Sequence, residues 1–314
     1  MANNDPTYFK HEPVLLHEAV EQLVTDANGI YVDATLGGGG HSMEILQHLD
    51  GQGTLYGIDQ DDEALAAAKV RIGDDPRFHT IKGNFGYLST LLSPQTHKQV
   101  AGILLDLGVS THQITEAERG FSFQHDGPLD MRMGNLQGVT AHQVVNDYEY
   151  ERLRDVIYHY GEERKSREIA KAIIAARPLE TTGQLRKVVE SVVHGRYQIK
   201  SVARVFQGIR IEVNRELDML KNALQQSLDV LKTGGRIVAI SYHSLEDRLV
   251  KRFFKSGNFE GKIKKDFYGN EIKPIRSLSG GIIRPSDEEV EANPAARSAK
   301  MRVAEKIEMK EMTP

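Results

Sequence analysis

The sequence predicts an α/β fold: a doubly wound, Rossmann-like sheet built from both ends of the chain and interrupted by an inserted helical domain. Three observations predict it. Short apolar runs alternate with helical patterns through the first hundred residues, which implies βαβ units and a parallel sheet. The first of these runs leads straight into four glycines, Gly37 to Gly40, and then into a helix. The alternation stops after Asp106, and a strand pattern returns only at Arg236 to Ser241.

Each element follows from its residues. Val14 to Thr25 places Val14, Leu15, Ala19, Val20, Leu23 and Val24 at helical spacing, and Gly29 ends it. Ile30 to Ala34 is a short buried strand, and the helix opening near His41-Ser42 has Met43, Ile45, Leu46 and Leu49 as its apolar face. Thr54 to Asp59 is a second strand ending on a carboxylate, and Asp61 or Asp62 caps a helix over Glu63 to Ile72. Phe78 to Ile81 and Ala101 to Leu107 complete four strands. Gly120 to Gly138 reads as loop and Ala141 to about Val193 as short helices, with no convincing strand in 113–205. Leu217, Leu220, Leu224, Leu228 and Leu231 form a further helix stopped by Gly234-Gly235. Lys310 to Pro314 is expected to fray. The methyl-donor or nucleotide domain is thus expected at 1–112 and 206–314, and the helical insertion at 113–205.

With 314 residues, 39% apolar and 27% charged, the chain is an ordinary globular one, neither fibrous nor mostly disordered. It has no cysteine, which excludes disulfides, thiolate metal sites and cysteine nucleophiles. No apolar run reaches the ~20 residues that span a bilayer, and Met1 to Lys10 lacks a signal-peptide core, so the cytoplasm is the expected compartment. The net charge of −4 conceals an asymmetry. Residues 1–150 carry 8 Lys and Arg against 21 Asp and Glu, residues 151–215 carry 14 against 8, and residues 248–276 carry 9 against 3. Two segments of net +6 in an acidic chain suit an anionic partner, or are simply the solvated faces of amphipathic helices.

The strand-glycine-helix segment Val32 to Ser42 is the strongest local signal for a site. Glycines let the backbone turn sharply and let a ligand approach it. Asp59, 22 residues after Gly37, can accept hydrogen bonds from both hydroxyls of a ribose. Dinucleotides and S-adenosylmethionine both use this arrangement. Ser42 stands where the dinucleotide pattern has its third glycine, and Asp33 would repel a pyrophosphate but suits an ammonium group, which favours the methyl donor. Asp106, ending the fourth strand, points to the same crevice beyond the strands' carboxyl ends. Phe85 and Gln113, after the third and fourth strands, are placed to sandwich or hydrogen-bond an adenine, while Phe85 by itself reads first as a core aromatic. No His, Asp and Glu group has metal-site spacing.

These residues are also where a resemblance enters. The chain resembles the RsmH (MraW) family, the bacterial 16S ribosomal RNA cytosine-N4 methyltransferases. The matching stretches run over nearly the whole length: His11 to Leu16, Asp33 to Ser42, Asn84-Phe85, Leu104 to Ser110, Glu118 to Phe123, Gly127 to Met133, Arg204 to Ile211, Ser241 to Arg248 and Arg297 to Lys300. The resemblance implies a Rossmann-like S-adenosylmethionine-dependent methyltransferase sheet. It implies methyl transfer from S-adenosylmethionine to N4 of cytidine 1402 in 16S rRNA of the small subunit. It also implies the cofactor contacts Gly39, Gly40, His41, Asp59, Phe85, Asp106 and Gln113. The sequence departs from the family's pattern at Thr111-His112, where Ser-Pro is common, and at Gly134, where an acidic residue is common.

The cytosine amine is a weak nucleophile, so an acceptor for one of its hydrogens is expected. Many amino-methyltransferases carry an Asp/Asn-Pro-Pro-aromatic motif after the fourth strand. Here Asp106-Leu107-Gly108 stands instead, and Asp106 or His243 is the candidate catalytic acceptor. His243 reads equally well as a structural hydrogen-bonding residue, and Asp130 with Arg132 as an internal ion pair or a base-recognition loop. The helical insertion reads as an RNA-recognition domain, with Arg186, Lys187, Arg196, Lys200 and Arg204 as its basic face. The competing readings are a nicotinamide-dependent oxidoreductase, disfavoured by Ser42 and Asp33, and an assembly factor that binds S-adenosylmethionine without transferring its methyl.

Overall fold

A computed structural model describes residues 13–134, 138–278 and 280–308. Residues 1–12 (with His11 and Glu12 of the first matching stretch), 135–137, 279 and 309–314 (with the expected frayed end Lys310 to Pro314) lie outside the described residues. The chain divides into two units, Met1–Gly108 with Leu217–Pro314, and Val109–Glu216. The second unit is longer at both ends than the expected 113–205. Its later limit moves because Gln198–Asn214 is one unbroken helix, which 205 would cut. Its earlier limit moves because Gly108 turns the chain at φ 107° and Ser110 already caps the helix Thr111–Thr115.

The first unit holds the sheet. Its strands in chain order are β1 (Ile30–Asp33), β2 (Thr54–Asp59), β3 (Phe78–Lys82), β4 (Val100–Asp106) and β5 (Leu231–Ser241). Four shorter or later strands follow: β6 (Lys264–Lys265), β7 (Glu271–Ile272), β8 (Ile275–Ser277) and β9 (Lys300–Lys306). Seven of them form one sheet in the order β3-β2-β1-β4-β5-β9-β8, and β6 pairs with β7 as a separate hairpin. The first five positions are mutually parallel. β9 runs antiparallel to β5, and β8 antiparallel to β9. The sheet is therefore mixed, not wholly parallel as the βαβ rhythm suggested. β8 and β9 carry Arg276, Arg302, Glu305 and Lys306 among few apolar residues, so no apolar run marks them.

β5 also begins earlier than expected. The preceding helix, Glu216–Val230, stops one residue before Leu231, which pairs with Val100. The register then jumps, and Arg236 pairs with Gly102. The residues between bulge out of the ladder through Gly234, whose φ of 81° a side-chain-bearing residue adopts at a cost.

Side chains of the central strands alternate between two cores. Val32, Ile103, Leu105, Ile237 and Ala239 join the core under the helices Glu216–Val230 and Ser244–Ser256. Tyr31, Leu104, Val238 and Ile240 join the one under the helices Leu16–Leu23 and Gly40–Gln47. β4 is apolar on both faces and buried up to Leu105, as a central parallel strand must be.

The second unit packs short helices around its own core of Leu153, Ile157, Ile169, Leu185, Val202, Ile209 and their neighbours. Among its described residues no sheet strand occurs, and only an isolated bridge joins Pro128 to Thr181. Asn214 closes the loop onto the long helix: its Oδ1 accepts from Met133 N (2.9 Å) and its Nδ2 donates to Met131 O (2.8 Å). Asp130 and Arg132 form an internal ion pair in that loop, with Arg132 Nε 2.9 Å from Asp130 Oδ1.

Candidate active site

The sheet reverses its winding between β1 and β4, and ligands of open α/β sheets bind beyond the strands' carboxyl ends at such a point. Asp33, Asp59 and Asp106 are the last residues of β1, β2 and β4, so the topology brings three carboxylates to this one place.

The three differ in what they do. Asp33 is 1% exposed. Its Oδ1 accepts from Thr35 N (3.2 Å) and its Oδ2 from the Ser42 hydroxyl (2.7 Å). It fastens the glycine loop to the following helix and does not offer an open face to an ammonium group, which corrects the role expected for it. Burial pushes its carboxyl up to about 6, against the hydrogen bonds from Ser42 and Thr35, and the Asp59 charge adds to the rise.

Asp59 holds the same loop from the other side. Its Oδ2 accepts from Gly37 N (2.9 Å) and its Oδ1 from Asp61 N (2.9 Å). Each oxygen keeps a lone pair, as two ribose hydroxyls would need. Burial raises its carboxyl above the usual range, with the Asp61 charge adding to the rise and the backbone bonds from Asp61, Gly37 and Gln60 opposing it. Asn84 Nδ2 donates to Gln60 Oε1 (2.9 Å) beside it, and Asn84 Oδ1 accepts from Gly86 N, which opens the turn Phe85–Tyr87. Phe85 is half-buried against the sheet's core.

Asp106 keeps 22% of its side chain exposed. The Tyr242 hydroxyl donates to its Oδ1 (2.9 Å), and its backbone N–H donates to Thr35 Oγ1 (2.7 Å). Burial pushes its carboxyl up to about 7; the Tyr242 bond opposes this, and the Asp33 and Glu246 charges add to it. Tyr242 in turn is raised well above its ordinary value by its own burial and by Asp106.

Gly39 and Gly40 shape the loop by what they lack. Gly39 caps the helix Gly40–Gln47 at φ 75°, and a Cβ there would lie 3.0 Å from that of Ala68. A Cβ on Gly40 would lie 2.2 Å from Pro13 Cγ. His41 is 5% exposed, with Nε2 3.2 Å from Val14 O, so the proton sits on Nε2 and Nδ1 faces Asp106 Oδ2 at 3.7 Å as an acceptor. Burial, reinforced by Arg71, pushes its pKa down to about 4 against the Val14 bond. The ring is neutral at neutral pH, so this contact is not a salt bridge.

His243 caps a helix, the structural role that the sequence also allowed it. Its Nδ1 caps the helix Ser244–Ser256 by accepting from Glu246 N (3.4 Å). Its Nε2 lies 3.1 Å from Glu246 Oε1, outside hydrogen-bond alignment. Glu246 Oε2 accepts from the backbone N–H groups of Tyr242 (3.1 Å) and His243 (3.3 Å). The box fixes the turn that aims Tyr242 at Asp106. Gln113 belongs to the second unit, where its Oε1 accepts from Ser110 N (3.1 Å) and its Nε2 donates to Met133 O (3.2 Å).

Sequence reasoning missed Thr35, Tyr242 and Glu246, and took Ser42 only as a mismatch to a glycine pattern. Ser42 two residues beyond a glycine turn, after a strand ending in Asp, was a usable signal. Nothing in sequence announces a bond between residues 136 apart.

A Rossmann-like sheet whose strands β1, β2 and β4 end in carboxylates around a glycine turn defines a domain with a nucleotide-type ligand site at its switch point. Residues 8–307 match the MraW methylase family, and the chain belongs to it. The chain is similar to the ribosomal RNA small subunit methyltransferase H of Parabacteroides distasonis, 48% identical over 98% of this chain and 100% of that protein. The protein of that name from Flavobacterium johnsoniae is 49% identical over 95% and 98% respectively. The one from Bacteroides fragilis is 46% identical over 98% and 100%. No helix among the described residues is long and apolar enough to cross a membrane.

Proposed function

We propose that this chain transfers the methyl group of S-adenosylmethionine to N4 of cytidine 1402 in 16S rRNA of the small ribosomal subunit. The names its relatives carry support a small-subunit rRNA substrate. The observation that carries the chemistry is the carboxylate cluster. Burial holds the charges of Asp33, Asp59 and Asp106 at a disadvantage, pushing the first up to about 6 and the third up to about 7, and the Asp59 charge adds to the first rise and the Asp33 charge to the third. A cationic ligand favours the ionised carboxylates, and a pyrophosphate disfavours them. The donor fits in sign: Asp59 has lone pairs for a ribose, the Gly37–Gly40 turn gives close backbone approach, and Asp106 supplies negative charge at a partly open surface.

When bound, S-adenosylmethionine supplies a methyl carbon activated by a sulfonium. The chain's part is to hold N4 in line with it, which is mostly positioning. Asp106, ionised, accepts a hydrogen bond from the exocyclic amine and so returns lone-pair density to N4; it is the group placed to take the amine proton as the N–C bond forms. Tyr242 keeps its carboxylate oriented. Gly39, Gly40 and His41 form the loop beside it, and Phe85 contributes an apolar face for the adenine. A base in folded RNA must also be unstacked to reach the site.

The test is tritiated methyl transfer to small subunits lacking the modification, followed by nucleoside analysis. N4-methylcytidine at position 1402 is expected. Label at another nucleotide, or none, would overturn the assignment, and tighter calorimetric binding of NAD than of S-adenosylmethionine would overturn the donor.

A further inference from the structure

The segment 248–276 carries net +6, and the catalytic reading makes no use of it. The structure folds its middle into the β6–β7 hairpin, in which Lys264 pairs with Ile272 and Lys265 with Glu271. At its tip Phe267 is 98% exposed and Tyr268 86% exposed, the two most open large apolar side chains among the described residues. Single exposed apolar residues are ordinary; two adjacent aromatic rings held fully in water are not.

The tip is built, not frayed. Asp266 Oδ1 accepts from Tyr268 N (2.9 Å) and Asn270 N (2.8 Å), and its Oδ2 accepts from Asn270 Nδ2 (2.8 Å). Gly269, at φ 88°, donates to Asp266 O (3.1 Å). The one carboxylate at the tip is thus consumed in shaping it. The two rings meet edge to face, 5.6 Å between centroids. The base of the arm is fixed to the first unit: Phe259 stacks on buried Phe253 at 5.3 Å, and Ile275 is fully buried. Lys262, Lys264 and Lys265 flank the tip, and all three are exposed. Lys273 and Arg276 are held in ion pairs with Glu271 and Glu305.

We propose that this hairpin is an RNA-binding arm, in which Phe267 and Tyr268 stack on unpaired bases and Lys264 and Lys265 neutralise the adjoining phosphates. The proposal rests on the rRNA reading above and deepens it. Aromatic rings interleaved with lysines are the chemistry by which unpaired nucleic acid is held without regard to sequence. A preformed turn presents the rings at little ordering cost, and positive charge beside them selects a polyanion over a neutral protein surface.

The chain has no tryptophan, so Phe267→Trp introduces a single indole at the tip. Its emission should be quenched by purified small-subunit rRNA and left unchanged by S-adenosylmethionine. The Phe267→Ala/Tyr268→Ala double variant should melt like wild type, because neither ring is buried. It should raise the KM for small subunits roughly 5- to 150-fold per ring, with kcat at saturation and S-adenosylmethionine affinity preserved. Lys264→Gln/Lys265→Gln should flatten the salt dependence of rRNA binding by about 0.7 for each phosphate no longer neutralised. Unquenched indole emission with an unchanged KM, in an enzyme that methylates subunits normally, overturns the arm. Quenching by whole subunits but not by naked rRNA also overturns it, since the contact is then to protein. If wild type transfers no methyl to rRNA while the indole is still quenched by it, the activity reading fails and the arm stands.

Discussion

The Tyr242 hydroxyl donates to Asp106 Oδ1 at 2.9 Å, joining the ends of β5 and β4 across 136 residues of chain. The bond favours the ionised carboxylate and works against the burial that pushes Asp106 up to about 7. Tyr242→Phe keeps the ring and removes the bond. The variant should fold normally, and the pH midpoint for methyl transfer should move upward. At neutral pH the rate should fall on the order of 10- to 100-fold, the worth of a hydrogen bond to a charged group of ~1.5–3 kcal/mol. A pH–rate profile superposable on that of wild type would remove Tyr242 from this role.

Donor binding should release protons. Below about 7 the free protein holds a proton on Asp106, and a cation beside it favours the carboxylate. Affinity for S-adenosylmethionine should therefore rise as pH goes from 6 to 8 and then level off. Calorimetry near pH 6.5 in two buffers of different ionisation enthalpy reads the released proton directly. Equal heats in both buffers would contradict the linkage.

Asp59→Ala should weaken S-adenosylmethionine by about 1–3 kcal/mol, because the charged hydrogen bonds to a ribose are gone. The same change strands Gly37 N and Asp61 N, so the melting temperature should fall as well. An unchanged dissociation constant would refute the ribose assignment whatever the melt shows.

His41 should destabilise the protein in acid. Its folded pKa of about 4 lies below the ordinary 6.5, so the unfolded chain binds the extra proton between those values. The stability it contributes is complete above 6.5 and lost as pH falls toward 4. His41→Gln retains a donor for Val14 O and lacks the titration. Relative to it, wild type should lose up to ~3 kcal/mol across that window. Parallel melts of the two at pH 7, 6 and 5 test this; a constant difference would deny it.

In the second unit, the five basic residues read as one face divide by their partners. Arg186 Nε is 2.7 Å from Glu190 Oε1, and Arg204 NH1 is 3.6 Å from Glu163 Oε2. Lys187, Arg196 and Lys200 are exposed. Replacing these three with glutamine should weaken rRNA binding and lower its salt slope by about 0.7–0.9 for each phosphate that is no longer neutralised. Arg186→Gln and Arg204→Gln should act mainly on stability. Equal effects of the two groups on the salt slope would mean that the ion pairs are open in solution.

The sequence by itself determined the elements whose signal is local. β1, β2 and β4 were legible because each is a short apolar run closed by an aspartate, and the glycine turn because four glycines in a row have no place inside a helix. Helical spacing marked the insertion, and the compact unit extends beyond the expected 113–205 to Val109–Glu216, because Gln198–Asn214 continues smoothly through 205 and Ser110 already caps a helix. Only the tertiary structure decided which carboxylate is sealed and which stay accessible. Asp33, Asp59 and Asp106 look alike as strand ends. Ser42 and Thr35 seal the first, backbone amides hold the second, and Tyr242 orients the third without covering it. It also showed His243 as a helix cap and added β8 and β9 antiparallel to the sheet. Hydrophobic periodicity reports which face of an element is buried. The electrostatics of a side chain depend on what other elements bring to within about 3 Å of it, the reach of a hydrogen bond, and the sequence order of those elements carries no record of that distance.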